Sequence, residues 1–527
     1  MKVKNLINKN NFFILFICFF SLLINQYYAS LGAFPLDTFY HFDLGYRILK
    51  GDIPFTDIWM VSGVLVNYIQ ALFFYIFGVN WTSYVLHASL INSFISLGTY
   101  FLLKEFGLKI NYCLVYSLLF ATLGYTSSGT PFVDHHSTFF SLLAIYSLLF
   151  AIKKENKIFW FLIPIFLIFG FLSKQVPSFY IFLFISVVII IYLSVTKKIA
   201  PLINIFYGVT FIFVLIFIFG FFGNVDFESF IQQYIIYPQS IGESRFESFN
   251  PTFDGLVGHF KFIYISIAPF VFINLKKLIS GKNYFKKKEF FYFIIISFLT
   301  LSLIFHQFFT KNQTFIFFLI PLLVGFSHIE IDSLKIKKNI IIPSFLIIYC
   351  VLVTTKYHYR LNEGRKFHEL NQVNFSKAVS AAIIDNKLKG LRWITSEYKD
   401  NPEKEIKFIN DLKNFIKNEK RKKMVITHYS FLSSILNENL FSPSMAYTSD
   451  GSIIPLKNNK YSQKYKDLVI NLIKKNNLDV IYIVYPVHKG SITDYLDKNC
   501  FSEKLIFERV TSVEIKRCKS LMGDKNK

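Results

Sequence analysis

Long apolar runs alternate with short polar loops from residue 12 to about residue 355 of the 527-residue chain. A helix needs about 20 apolar residues to cross the hydrocarbon core of a bilayer. The pattern therefore predicts a polytopic α-helical membrane protein with about 11 transmembrane helices. The predicted spans are 12–31, 82–103, 111–126, 135–152, 157–173, 176–195, 203–223, 258–275, 289–308, 312–329 and 339–355.

The topology depends on whether a further apolar segment, 61–79, crosses the membrane or lies in its interface. The distribution of lysine residues distinguishes the two. If this segment lies in the membrane interface, lysine-rich loops collect on one side, together with the N-terminus. Those loops carry Lys104, Lys109, Lys153, Lys154, Lys157, Lys197, Lys198, Lys276, Lys277, Lys282, Lys286, Lys287, Lys288, Lys335, Lys337 and Lys338. The positive-inside rule then predicts a cytoplasmic N-terminus in the inner (plasma) membrane and an external first loop with interfacial helices.

The segment after residue 355 has a different pattern. Helical spacing at Phe408, Leu412 and Phe415 alternates with short strand-like runs such as 424–427 and 480–485. This alternation predicts a small α/β domain. We therefore expect two domains, a transmembrane domain over 1–355 and an extracytoplasmic α/β domain over 356–527.

The composition agrees with a membrane protein and excludes an ordinary soluble domain. Hydrophobic residues make up 53 % of the chain and the mean hydropathy is +0.41. The net charge of +23 lies largely in the short loops, so topology explains it better than nucleic-acid binding. The first apolar run is interpreted as an uncleaved helix, with a cleaved signal peptide as the alternative. Cys500 and Cys518, both in the C-terminal segment, would lie in an oxidising compartment, and their pairing is left open.

Acidic residues concentrate just after the first apolar run, in a chain that is otherwise poor in acids. Asp37 follows this run directly, and the helical stretch 44–50 ends at Gly51, fourteen residues after Asp37. Carboxylates at a membrane face are costly to desolvate and usually have a partner or a function. Asp43, Asp52 and Asp57 are interpreted as structural or loop acids. For Asp37 a helix cap, a solvated loop acid and a functional carboxylate all remain open at this point.

This block resembles the first external loop of C-type membrane glycosyltransferases, the superfamily of protein O-mannosyltransferases and lipid A aminoarabinose transferases. Their pattern has an Asp-Glu pair after the first helix, a helix that ends in Gly about fourteen residues later, and an interfacial helix that ends in Phe-Gly. Asp37, Gly51 and Phe77-Gly78 match it, whereas Thr38 stands in place of the second acid.

Three further elements resemble the same family in the same order. Asp134, followed by His135, precedes a span and is similar to a second external acidic site. Lys174 ends a run that begins at Gly170, and His306 with Lys311 precedes an aromatic helix that contains a proline. The resemblance covers about residues 12–330 and leaves the C-terminal segment unassigned.

The resemblance implies transfer of a sugar from a polyprenyl-phosphate-linked donor to an extracytoplasmic acceptor, which would be a lipid, glycan or protein. A carboxylate would serve as general base, and cations would stabilise the leaving phosphate. We predict Asp37 and Asp134 as catalytic residues. The predicted contacts to lipid phosphate or acceptor are Lys174, His306, Lys311, His135, Tyr237 and Arg245. No metal ligands are assigned, because adjacent His135 and His136 diverge by about 100° on a helix. The use of a divalent cation stays open, since members of the family differ in it.

Two other classes remain as alternatives. A transporter or flippase for a glycolipid usually places ionisable residues at mid-membrane, whereas the acids here lie at one face. A membrane-anchored scaffold would need neither Asp37 nor Lys174.

Overall fold

The computed structural model describes residues 9–247, 250–281, 283–310, 316–334, 341–364, 368–370, 373–516 and 518. The helices are α1 Lys9–Ala29, α2 Pro35–Thr38, α3 Tyr40–Leu49, α4 Val64–Phe77, α5 Trp81–Glu105, α6 Ile110–Gly124, α7 Val133–Lys154, α8 Lys157–Ser173, α9 Gln175–Thr196, α10 Ala200–Phe222, α11 Phe227–Phe230, α12 Tyr237–Glu247, α13 Lys261–Ser280, α14 Lys288–Phe309, α15 Leu319–Ser333, α16 Ile341–His358, α17 Pro402–Asn418, α18 Leu432–Leu436, α19 Ser462–Asn476 and α20 Gly490–Thr493. The strands are β1 Val379–Ser380, β2 Arg392–Trp393, β3 Lys423–Ile426, β4 Val480–Val484, β5 Phe501–Phe507 and β6 Val510–Ile515.

Every predicted span overlaps a helix, namely α1, α5 to α10 and α13 to α16. Residues 312–315 and 339–340 of the predicted spans lie outside the described residues. Within the described residues, eight helices are long and apolar enough to cross a membrane: α1, α5, α7, α9, α10, α13, α14 and α16. The helices α6, α8 and α15 have 15, 17 and 15 residues and fall short of that length. The predicted fold class, a polytopic helical membrane protein with a C-terminal α/β region, is confirmed.

The chain divides into two compact units. Unit 1 comprises residues 1–30, 85–216 and 248–372, and unit 2 comprises 31–84, 217–247 and 373–527. The predicted division after residue 355 follows membrane-spanning character rather than spatial contacts, and it stays a prediction.

Helix α7 forms the core of unit 1. Its apolar span is buried along its whole length, and it packs against α8, α9 and α14. A helix that is buried on all sides is typical of the interior of a large protein or a membrane bundle. A second group of helices in the unit consists of α15 packed against α6, α13 and α16.

Ion pairs join several lysine-bearing helix ends of unit 1. Lys154 Nζ lies 2.9 Å from Glu105 Oε2. The Glu155 carboxylate receives Lys198 at 2.6 Å and Lys288 at 2.8 Å. These contacts bring the corresponding ends of α5, α7, α9 and α14 to one face of the unit, as the lysine pattern predicts.

The C-terminal part of unit 2 is an α/β structure, as predicted. Its four-stranded sheet has the order β3-β4-β6-β5, with β3 and β4 parallel and the other pairs antiparallel. The predicted amphipathic helices are α17 and α19, whose apolar faces are buried. Cys500 and Cys518 form a disulfide with a Cα–Cα distance of 5.4 Å.

The first loop supplies the helices α2, α3 and α4 to unit 2. Helix α3 is followed by Gly51, whose φ of +103° is a left-handed conformation that favours glycine. Helix α4 ends at Phe77, and its face with Leu72, Tyr75 and Ile76 is exposed although apolar. With 14 residues, α4 is too short to cross a bilayer, and its exposed apolar face is typical of an interfacial helix.

Candidate functional site

Lys174 is the non-helical residue between α8 and α9. Helix α8 ends at Ser173, Lys174 is extended with φ −161° and ψ 140°, and α9 begins at Gln175. The backbone N–H of Lys174 still donates to the Gly170 carbonyl at 3.0 Å. Lys174 therefore lies at the junction of two helices, at the end of α8 that is opposite to the lysine-rich face.

Lys174 forms a buried ion pair with Asp134. Its ammonium Nζ lies 2.7 Å from Asp134 Oδ1 and 2.8 Å from Oδ2, so it contacts both carboxylate oxygens. The side chain of Asp134 is 3 % exposed and that of Lys174 is 18 % exposed. Asp134 belongs to the first turn of α7, where the helix dipole also favours a negative charge. The N-cap position is occupied by Phe132, so capping is not the role of the Asp134 side chain.

His306 completes this cluster from α14. Its Nε2 lies 3.5 Å from Asp134 Oδ1, and its side chain is 1 % exposed. A carboxylate from α7 is thus flanked by a lysine from the α8–α9 junction and a histidine from α14. Three of the residues predicted from the sequence come together in unit 1.

Serine residues behind the cluster fix the backbone of Lys174. Ser137 Oγ donates to the Lys174 carbonyl at 2.9 Å and lies 2.8 Å from Ser178 Oγ, which in turn lies 2.8 Å from Ser141 Oγ. Gly170 makes room for this packing, because a Cβ there would lie 2.4 Å from Ser178 Oγ. The sequence analysis missed these serines, and their i, i+4 spacing on α7 was the signal that could have found Ser137 and Ser141.

His135 and His136 point to different neighbours. The His135 ring stacks on Tyr125 at a centroid distance of 4.4 Å, and its Nε2 lies 3.4 Å from Ser127 Oγ. His136 Nε2 lies 2.9 Å from His87 Nε2. Within the described parts of the chain, no group of three or more His, Cys, Asp or Glu residues could hold a metal ion.

Asp37 belongs to unit 2, in the short helix α2. Its side chain is half-buried, and its backbone N–H donates to the Phe34 carbonyl at 3.0 Å. The neighbouring Thr38 is 2 % exposed; its Oγ1 accepts from Phe34 N–H at 3.0 Å and its carbonyl accepts from the Tyr84 hydroxyl at 3.0 Å. Thr38, at the position of the family's second acid, therefore closes the turn that presents Asp37.

The other acids of the first loop have structural partners in unit 2. Asp43 accepts a hydrogen bond from Ser433 Oγ, and Arg47 Nε lies 2.7 Å from Asp52 Oδ2. Asp57 Oδ1 lies 2.7 Å from Lys475 Nζ. Burial raises the pKa of Asp43 to about 6, although Arg47 and Ser433 both act to lower it.

Of the remaining predicted contact residues, the structure describes the side chain of Tyr237, which belongs to unit 2. Tyr237 is 1 % exposed, its hydroxyl donates to the Gly451 carbonyl, and its ring meets Trp59 edge-on at 5.6 Å. Arg245 belongs to α12, but its side chain is outside the described part of the structure. Lys311 is outside the described residues altogether.

The sequence comparison finds one family relationship. Residues 61–220 match the family model of dolichyl-phosphate-mannose-protein mannosyltransferases. The matched segment contains Asp134 and Lys174, whereas Asp37 and His306 lie outside it. No curated protein matches the chain in sequence.

Two solved structures align with this chain at low sequence identity. The oligosaccharyltransferase of Archaeoglobus fulgidus in its apo form is 11 % identical, with a TM-score of 0.45, 92 % of this chain covered and 71 % of that one. ArnT from Cupriavidus metallidurans bound to undecaprenyl phosphate is 10 % identical, with a TM-score of 0.43, 95 % of this chain covered and 97 % of that one. At these TM-scores, neither protein's activity is carried over to the chain.

The family match falls on the segment that supplies α4 to α9 and most of α10, including the helices that carry the ion pair. The sequence motifs that resembled C-type glycosyltransferases at Asp134 and Lys174 are the same positions that pair in unit 1. The predicted resemblance is confirmed for residues 61–220, which are similar to the dolichyl-phosphate-mannose-protein mannosyltransferases.

Proposed function

We propose that this protein transfers a sugar from a polyprenyl-phosphate-linked donor to a lipid, glycan or protein acceptor outside the cytoplasm. The observation that carries the proposal is the buried contact of Lys174 with both oxygens of Asp134, flanked by His306, at one end of membrane-embedded helices. The match of the surrounding segment to a mannosyltransferase family supports the reaction class.

Lys174 is proposed to stabilise the phosphate that leaves the sugar. As the bond to the anomeric carbon breaks, negative charge develops on the lipid phosphate, and a preorganised cation lowers the energy of that transition state. Asp134 holds the ammonium in place through both carboxylate oxygens, while 18 % of the Lys174 side chain stays accessible. His306, 3.5 Å from the same carboxylate, is a second donor for the phosphate.

Asp37 is proposed as the general base. The acceptor hydroxyl or amine must lose a proton as it attacks the anomeric carbon, and a carboxylate within hydrogen-bond reach can take it. The intermediate exposure of Asp37 and its place on a turn closed by Thr38 support this role. The remaining proposed contacts to the lipid phosphate or the acceptor are His135, Tyr237, Arg245 and Lys311.

We propose an inner-membrane location with the N-terminus in the cytoplasm and the C-terminal region outside. The lysine-rich helix ends that share a face of unit 1 support this orientation through the positive-inside rule. The Cys500–Cys518 disulfide supports it as well, because disulfides persist in oxidising compartments.

The test is a transfer assay with purified protein in liposomes and a radiolabelled polyprenyl-phosphate hexose. The wild-type protein should move label to membrane-extract acceptors, and Asp37→Asn should lower turnover at least a hundredfold, within the range that general-base catalysis contributes. Asp400→Asn is the matched control, because the Asp400 side chain is 81 % exposed. Full activity of Asp37→Asn would remove Asp37 from the mechanism. No transfer by the wild-type protein from polyprenyl-phosphate hexoses or pentoses would contradict the proposed reaction.

A further inference from the structure

The C-terminal sheet carries a large cleft that the proposed transfer chemistry does not use. Its volume is about 840 Å³, within the range of about 300–1,000 Å³ that is typical of small-molecule sites. Tyr485 and the segment up to Lys489 line it, directly after the carboxyl end of β4. In α/β structures, ligands commonly bind beyond the carboxyl ends of parallel strands.

Arg509 lines this cleft and has an unfavourable backbone conformation. It occupies the two-residue turn between β5 and β6 with a φ of +72°, where glycine or asparagine is favoured. A non-glycine residue in this region is strained, and such strain is found often at functional sites. The Arg509 carbonyl also accepts from Tyr485 N–H at 2.9 Å, which ties the turn to the end of β4.

The Arg509 side chain organises two aromatic rings. Its guanidinium carbon lies 4.5 Å from the centroid of the Tyr485 ring and 5.4 Å from that of Tyr398. It also donates to the Tyr398 hydroxyl and to Glu397 Oε1. Tyr485 nevertheless remains 56 % exposed, so the cleft presents a fixed aromatic surface to solvent.

The charges of the cleft are close to balanced. Glu397 pairs with Arg509, and Lys489 Nζ lies 3.1 Å from Glu503 Oε2. Glu508 adds a further carboxylate and Lys404 a further ammonium. A phosphate site would need a surplus of unneutralised donors, whereas this arrangement offers both donors and acceptors beside aromatic faces.

We propose that this cleft binds a neutral oligosaccharide. The C–H face of a sugar ring packs well against an exposed aromatic ring, and its hydroxyls both donate and accept hydrogen bonds. Tyr485 supplies the ring surface, and Glu397 with Arg509 supplies acceptors and donors at its edge. The residues that line the cleft do not include Asp37, Asp134 or Lys174, so the proposal goes beyond the proposed transfer step.

The test is calorimetric titration of the full-length protein in detergent with maltotriose, cellotriose and mannotriose, and with inorganic phosphate as the anionic probe. At least one trisaccharide should bind, and Tyr485→Ala should weaken that binding at least tenfold. Ile383→Ala is the matched control, because Ile383 is a similarly exposed apolar residue of unit 2 outside the cleft. Asp134→Asn should bind the sugar normally, which separates this proposal from the transfer proposal.

Three outcomes would overturn the inference. One is the absence of binding by all three sugars, and another is binding of phosphate in their place. The third is unchanged sugar affinity in both Tyr485→Ala and a second cleft variant, Glu397→Gln, with each variant shown to be folded by its thermal transition.

Discussion

The contact between Lys174 and Asp134 joins two charges that are both largely removed from solvent. Removing one member of a buried pair leaves the other charge uncompensated, which typically costs about 3–5 kcal/mol. Removing both avoids this penalty. The pair is therefore expected to behave as a unit, in stability as well as in activity.

A double-mutant cycle tests this coupling. Lys174→Met and Asp134→Asn should each lower the thermal transition of the detergent-solubilised protein, and the double variant should lose less than the sum of the two. The control cycle uses Lys277→Met and Glu330→Gln, a pair on the lysine-rich face that is more exposed. Its coupling should stay below about 1 kcal/mol. Additive losses at Lys174 and Asp134 would show that the two charges do not depend on each other.

Asp43 gives a second residue-scale prediction, for pH dependence. Its pKa is raised by burial to about 6, above the ordinary value of about 3.9 for an unfolded chain. The folded state thus favours the protonated carboxyl. The resulting stabilisation, about 2–3 kcal/mol, is fully present below about pH 4 and is lost as the pH rises through about 6.

Thermal unfolding of the full-length protein between pH 4 and pH 7 checks this. The transition temperature of Asp43→Asn should rise relative to that of the wild type as the pH increases, because the variant has no carboxyl to ionise. Asp400→Asn, at an exposed position, should run parallel to the wild type. A constant difference between Asp43→Asn and the wild type would contradict the raised pKa.

The sequence predicted which residues could form the candidate site, but not which of them pair. Asp134, Lys174 and His306 are charged or polar residues at the ends of apolar runs, and their types and order suggested a site. Their pairing was not predictable, because it depends on how α7, α8 and α14 are rotated about their axes. Asp134, Ser137 and Ser141 share one side of α7 by their spacing. Because α7 is buried on all sides, that spacing does not tell which neighbouring helix they face.

At the scale of elements, the packing of α7, α8 and α9 depends on Gly170. A Cβ at this position would lie 2.4 Å from Ser178 Oγ and 3.1 Å from the Ser137 carbonyl oxygen. Gly170→Ala should therefore destabilise the protein by about 1–3 kcal/mol through overpacking. It should also reduce transfer, because Ser137 holds the backbone of Lys174.

Gly220→Ala provides the control for this prediction. Gly220 is also a glycine within an apolar helix, but a Cβ there would meet nothing within 4 Å. Its thermal transition and activity should stay at wild-type levels. Equal behaviour of the two alanine variants, measured by thermal unfolding and by the transfer assay, would contradict the role given to Gly170.

The sequence predicted whether a segment forms a helix or a strand better than it predicted the residues at which that helix or strand begins and ends. The strands β3 to β6 and the helices α17 and α19 follow from alternation and helical spacing, which are local properties of the sequence. Helix α3, in contrast, begins at Tyr40 rather than at residue 44. Its buried first turn includes His41, which contacts Asn67 across the loop at 2.6 Å, and such a long-range contact leaves no local signal.

At the scale of the whole molecule, the hydropathy pattern gave the helices, but not the division into compact units. Residues 31–84 group with 373–527 in unit 2 through contacts such as that of Asp43 with Ser433. These partners are separated by 390 residues in sequence. No periodicity within a short window can indicate such a contact, whereas apolar runs and lysine clusters can be identified locally.

The proposed membrane orientation leads to a labelling prediction. In intact cells, a membrane-impermeant maleimide should label Lys261→Cys and Ile383→Cys, but should label Lys198→Cys only after permeabilisation. Lys198 belongs to the lysine-rich face, whereas Lys261 begins α13, at the end opposite to Lys276 and Lys277. The unsubstituted protein measures the background from its native cysteines. The reverse pattern would invert the proposed topology.

The central claim is that Lys174, held by Asp134, promotes departure of a polyprenyl phosphate from its sugar. Its most direct test is the release of polyprenyl phosphate from a labelled donor by proteoliposomes of wild type, Lys174→Met and Lys277→Met. We predict release by the wild type, release at a similar rate by Lys277→Met, and at least a hundredfold slower release by Lys174→Met. Equal release by folded Lys174→Met and wild-type protein would contradict the claim.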